Sequence, residues 1–142
     1  MEETFFIIKP EAVREKIVGD ILEIIKDNGF KIKHLRKIIP SQNLIESHYN
    51  HIKDKDFFPS VLKYMTSGYV YTGVLEKENA IEDWRELIGS TNPNNAGKNT
   101  IRGIFGYIDE NKEIRNTVHG SDSYKNFQNE LKIWYPYLYK GE

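Results

Sequence analysis

TFFIIKPEAVREKIVGDILEIIKDNGFKIKHLRKII, residues 4–39, passes through three patterns in succession. Residues 4–9 are apolar and β-rich and halt at Pro10, which cannot donate to a strand ladder, so they predict a buried strand with Lys9 at its end. Ile17, Ile21, Ile24 and Ile25 then recur at helical spacing, and Gly29 follows as a left-handed stop; the pattern predicts a helix over residues 18–28. Residues 30–39 alternate, with Phe30, Ile32 and His34 against Lys31 and Lys33, as a half-buried strand should, its basic residues toward water. Strand, helix, strand is the opening of a layered fold.

Working outward, Ser41 is placed to cap a helix carrying Leu44, Ile45 and Tyr49. A second helix over roughly residues 57–65 presents Phe58, Val61, Leu62 and Met65, completing a helical hairpin. Residues 69–75 form a β-branched and aromatic strand, and residues 80–88 a helix closed by Gly89. Regularity is lost over residues 90–106, where Thr91, Asn92, Pro93, Asn94, Asn95, Gly97 and Asn99 favour turns; a loop this long, prolonged by polar residues 109–113, is commonly functional. Residues 117–120 read as a short last strand and 121–131 as a helix whose core face is Tyr124, Phe127 and Leu131. The order predicts an α+β fold, a ferredoxin-like βαββαβ sandwich with a four-stranded antiparallel sheet covered by helices packed on one face.

The chain has 142 residues, 39% of them apolar, which suits one domain over residues 1–142 with a real core. Its formal net charge of -1 provides no global field toward nucleic acid or anionic lipid, so any anion site must be local. There is no cysteine, which excludes disulfides, thiolate metal sites and a cysteine nucleophile. No apolar stretch approaches the roughly 18 residues of a membrane span, and the start lacks the basic, then apolar, pattern of a secretory signal. The expectation is a soluble cytoplasmic protein.

His119 precedes Gly120 and Ser121 where the last strand should give way to a helix, whose free amides favour phosphate. A neutral imidazole there could attack phosphorus; equally, it could be a turn residue with a satisfied ring. A neighbouring carboxylate would raise its pKa, while the helix terminus and cations would lower it. Glu130, at the edge of the buried helix face, could orient that ring or be a solvated surface residue. Ser121 could cap the helix, hydrogen-bond the carboxylate, or do both. Lys9, Arg85 and Arg102 could bind the charges of a transferring phosphoryl group, with Thr91 and Asn92 as neutral donors; singly, Lys9 and Arg85 could be ordinary surface charges and residues 91–93 an ordinary turn. Neither common glycine-rich phosphate loop is present, so phosphate binding would rest on side chains. Phe57 could stack on a base or belong to the core. His48 and His51, the only histidine pair at metal-like spacing, lack a third ligand nearby and read as surface residues, so no protein-held metal is expected.

In order, FFIIKPEAV (residues 5–13), Tyr49, KYMTSG (63–68), TNP (91–93), TIRG (100–103) and NTVHGSDS (116–123) resemble the nucleoside diphosphate kinase family over nearly the whole chain. The resemblance implies a ping-pong transfer of the γ-phosphate of a nucleoside triphosphate, mainly ATP, to a nucleoside diphosphate through a phosphohistidine at His119. It implies that Glu130 and Ser121 hold the ring, that Lys9 and Asn116 contact ribose hydroxyls, and that Tyr49 buttresses Lys9. Arg85, Thr91 and Arg102 would bind phosphates, Phe57 would stack on the base and Val61 line its other edge. Mg2+ would arrive with the nucleotide, held by phosphate oxygens and water. The family further implies a homo-oligomer, a hexamer in preference to a tetramer, and the balanced charge argues against nucleic acid as partner. Departures from the family pattern are Lys98 and Asn99 in place of Pro-Gly, Ile104 in place of an acid, a short C-terminal tail, and about four extra residues around 109–112.

Overall fold

A computed structural model describes residues 1–139. The central strand, β1 (Glu2–Ile8), has Phe5, Phe6, Ile7 and Ile8 all fully buried, so both of its faces are covered. After it come α1 (Pro10–Arg14), α2 (Val18–Asp27), β2 (Lys31–Ile38), α3 (Gln42–His48), α4 (Phe58–Met65), β3 (Val70–Lys77) and α5 (Ala80–Ile88). The chain finishes with α6 (Ile101–Phe105), β4 (Tyr107–Ile108), β5 (Ile114–Arg115), β6 (Val118–Gly120) and α7 (Tyr124–Trp134). Four strands pair in the order β2-β3-β1-β6, every neighbour antiparallel, which is the ferredoxin-like topology.

Because successive β1 side chains point to opposite faces, the sheet builds two cores rather than the one expected. Phe6 and Ile8 pack with Ala12, Ile21, Ile25, Trp84 and Ile88 beneath α1, α2 and α5. Phe5 and Ile7 pack with Ile45, Phe58, Met65, Phe127 and Trp134 beneath α3, α4 and α7. The helices therefore cover both faces of the sheet, correcting the one-face arrangement.

Four further expectations are corrected. The alternation of β2 breaks at a register shift between Lys33 and Arg36, where His34 takes φ +57° and is exposed, and Lys33 is half-buried, bonded to Glu3 at 2.6 Å. Residues 90–106 are not a single loop: Pro93 to Asn95 make a 3-10 turn capped by the Asn92 side chain, and Thr100 caps α6 by accepting from Gly103 N–H. The polar run at 109–113 is the turn of a hairpin, with Tyr107 opposite Arg115, Asp109 N–H donating to Glu113 O, and Lys112 at φ +62°. The last helix starts three residues late, at Tyr124, because Ser123 caps it at 3.1 Å; Tyr124 is 58% exposed and leaves the core face to Phe127 and its successors.

Candidate active site

β6 lies beside β1 with His119 opposite Ile7, and the backbone carbonyl of His119 accepts from the Trp84 indole at 3.3 Å. This register turns the imidazole into a cleft walled by α3, α5 and α7. Its Nε2 lies 2.9 Å from Glu130 Oε2, and Ser121 Oγ donates to Glu130 Oε1 at 2.5 Å. Ser121 is fully buried and serves the carboxylate; capping falls to Ser123. Since Glu130 accepts at Nε2, that nitrogen carries the hydrogen and Nδ1 keeps the free lone pair. Burial, then the charges of Lys9 and Arg102, opposed by Asp122, lower the His119 pKa to about 3, so the ring is neutral at pH 7. Burial raises that of Glu130.

Lys9, directly after β1 and before α1, is 8% exposed, and its Nζ donates to Asn116 Oδ1 at 2.7 Å. Burial, followed by Arg102, lowers its pKa to about 8. Asn116 in turn donates through Nδ2 to the Thr91 carbonyl at 3.0 Å, fixing the irregular segment to the strand end. Arg102 is equally enclosed: it donates to Gly89 O at 3.0 Å and Val118 O at 2.8 Å, while its Nε is buried without a partner among the described residues. Burial lowers its pKa to about 10. Gly89 can offer that carbonyl because it turns the chain out of α5 at φ +86°, where a side chain would strike Thr100 Oγ1. Arg85, exposed on α5, reaches the Asp122 carbonyl at 3.3 Å.

Lys9, Tyr49, Arg85, Thr91, Arg102 and Asn116 line this one cleft together with His119 and Glu130. Phe57, 55% exposed before α4, and the half-buried Val61 on α4 stand outside that lining.

The surface reading of His48 is overturned. His48 is 8% exposed, its Nδ1 accepts from the Trp134 indole at 3.0 Å, and its ring meets that of His119 edge-on, 4.6 Å between centroids. The signal for it lay in the sequence: His48 falls three residues after buried Ile45, on the same helix face. Among the described residues, His48, His119 and Glu130 could offer ligand atoms within 4.8 Å of one another. An indole N–H pointing at Nδ1 places the hydrogen of neutral His48 on Nε2, so neither nitrogen presents a free lone pair, and the group does not suit a metal.

This geometry joins a neutral imidazole, a carboxylate that orients it and three cations in one cleft. A family model described as nucleoside diphosphate kinase matches residues 2–138. Nucleoside diphosphate kinase of Streptococcus uberis is 42% identical over 139 residues, covering 97% of this chain and 96% of the relative. That of Streptococcus pneumoniae is 42% identical over 137 residues, covering 95% and 100%. Among solved structures, apo nucleoside diphosphate kinase from Encephalitozoon cuniculi superposes with a TM-score of 0.86 at 33% identity, covering 95% of this chain and 89% of its own. The Aquifex aeolicus enzyme does so with 0.84 at 35%, covering 93% of each chain. The chain belongs to the nucleoside diphosphate kinase family, whose members are enzymes that transfer phosphate between nucleotides. No helix among the described residues is long and apolar enough to cross a membrane.

Proposed function

We propose that this chain carries the phosphoryl group on Nδ1 of His119. The observation that bears most weight is the chain of contacts from Ser121 through Glu130 to Nε2, which leaves the opposite ring nitrogen as a free, neutral nucleophile at the cleft. Nδ1 attacks the γ-phosphorus of a nucleoside triphosphate, mainly ATP; the bond to the bridging oxygen breaks and the diphosphate leaves. Positive charge develops on the ring as the N–P bond forms, and the Glu130 carboxylate stabilises it through the Nε2 hydrogen. A second nucleoside diphosphate then takes the phosphoryl group by the reverse step. Lys9, Arg85 and Arg102 supply the cations that this transfer requires, and Thr91 a neutral donor.

In this reading Lys9 and Asn116 also contact the ribose hydroxyls, and Tyr49 supports Lys9. Phe57 stacks on the base, a role its exposure permits, and Val61 lines the base's other edge. Mg2+ enters as part of the nucleotide substrate: its preference for oxygen ligands suits phosphate and water better than the nitrogen-rich group around His119. Further copies of the chain are the other proposed partner, as a hexamer in preference to a tetramer; Leu35 and Ile39, 41% and 55% exposed on and beside the edge strand β2, support self-association.

Incubation with terminally labelled ATP is expected to leave acid-labile, base-stable phosphate on the protein, and His119→Ala to abolish it. Labelling that persists in His119→Ala, or inorganic phosphate released at the same rate with and without a diphosphate acceptor, would refute the assignment.

A further inference from the structure

Thr117, between Asn116 and Val118, sits at φ +75°, and Val118 N–H donates to Asn116 O at 2.7 Å. A bond from i+2 to i around a residue of positive φ is the rare, strained γ-turn, and a β-branched residue is among the least suited to it. Such a conformation persists only where its surroundings hold it. Here both peptide groups flanking Thr117 are tied. Its C=O accepts from Lys9 N–H at 2.8 Å, and its N–H donates to Glu11 Oε2 at 2.9 Å. Glu11 follows Pro10 on α1, is 2% exposed, and receives the Tyr64 hydroxyl on its other oxygen at 2.7 Å. The turn lies between the two parts of the site: Asn116, bridging Lys9 and Thr91, precedes it, and His119 follows two residues later on β6.

We propose that Glu11 is a positioning residue: its buried carboxylate grips the Thr117 amide, keeps the γ-turn in its strained form, and thereby sets His119 and Asn116 in register for phosphoryl transfer. The proposal rests on His119 being the phosphorylated residue. A charged acceptor suits this task because a bond to an ionised oxygen is about twice as strong as a neutral one, enough to help hold a peptide in an unfavourable conformation. Without that acceptor, the peptide between Asn116 and Thr117 rotates toward a relaxed conformation, and the Asn116 side chain and the start of β6 follow it.

Single-turnover phosphorylation of the full chain by saturating ATP tests this. Glu11→Ala is expected to slow it about 10-fold or more, the scale of a displacement of the reacting group by a fraction of an ångström. Tyr64→Phe, which removes only the other hydrogen bond of the carboxylate, is expected to stay within about 3-fold of wild type, since the Thr117 grip survives. Thr117→Gly in the Glu11→Ala background is expected to restore much of the rate, because glycine adopts positive φ without strain. Glu11→Ala at the wild-type rate, or equal losses in Glu11→Ala and Tyr64→Phe with no recovery from Thr117→Gly, would overturn the proposal. If Glu11→Ala does not fold, the Thr117 amide proton resonance decides: it is expected to shift upfield in Glu11→Gln and to hold its place in Tyr64→Phe, and an unmoved resonance in Glu11→Gln counts against the role. A wild-type chain that takes no phosphate on His119 would instead sink the underlying reading, whatever the Thr117 amide does.

Discussion

Lys9 shows how burial prepares a single residue for an anion. Its ammonium is enclosed near Arg102 and Arg115, and its pKa falls to about 8. In the unfolded chain the same group keeps its ordinary, higher pKa, so between about pH 8 and that value the unfolded state binds more protons, and this residue's contribution to stability rises with pH. Nucleotide phosphates placed beside it reverse the balance by favouring the charged form. Binding of a Mg2+-nucleoside diphosphate near pH 8 is therefore expected to take up as much as about half a proton, and almost none near pH 6.5. Calorimetry in buffers of different ionisation enthalpy measures this directly; an enthalpy at pH 8 independent of the buffer would show that Lys9 does not meet the phosphates. His119 lies at the opposite extreme, lowered to about 3 by burial and by the charges of Lys9 and Arg102, so its neutral form needs no help at any pH near neutrality. The burial that dominates both shifts was not legible residue by residue, because it arises from segments distant in the chain. Glu11 is the sharper case: nothing adjacent in sequence marks it as a buried carboxylate, and its partners are Tyr64 and Thr117.

At the scale of elements, the decisive piece is the segment between α5 and β4, which reads as irregular because its order rests on side-chain caps rather than periodicity. Asn92 and Thr100 each turn a side-chain oxygen onto a nearby backbone N–H, and α6, five residues long, carries Arg102 against the Gly89 and Val118 carbonyls. Gly103 makes this compact arrangement possible, since a Cβ there would lie 1.9 Å from the Gly97 carbonyl oxygen. Gly103→Ala is expected to cost roughly 1–3 kcal/mol, as overpacking does. It should weaken nucleotide affinity more than the exposed substitution Asn94→Ala does. Denaturant unfolding and nucleotide titration check it; unchanged stability in Gly103→Ala would mean that the turn yields freely. The hairpin of β4 and β5 was missed for a related reason: two-residue strands leave too little alternation to detect, and only the pairing of Tyr107 with Arg115 and of Ile108 with Ile114 defines them.

Across the whole molecule, β1 is the organising element, because its alternating phenylalanines and isoleucines feed two cores and its end delivers Lys9 to the cleft. The proposed hexamer predicts a mass in solution about six times that of one 16.7 kDa chain, which light scattering reads; a mass of one or two chains would exclude it. The order of strands and helices, the β1 and α5 signals, the Ser41 cap and the string around His119 were all written locally, since periodicity, caps and short motifs act between residues a few positions apart. What tertiary structure alone decided was coverage of both sheet faces, the burial of Glu11, and the choice of Glu130 rather than solvent as the partner of His119. Those outcomes depend on which surfaces meet, and a surface acquires its dielectric and its hydrogen-bond partners only when distant segments close over it.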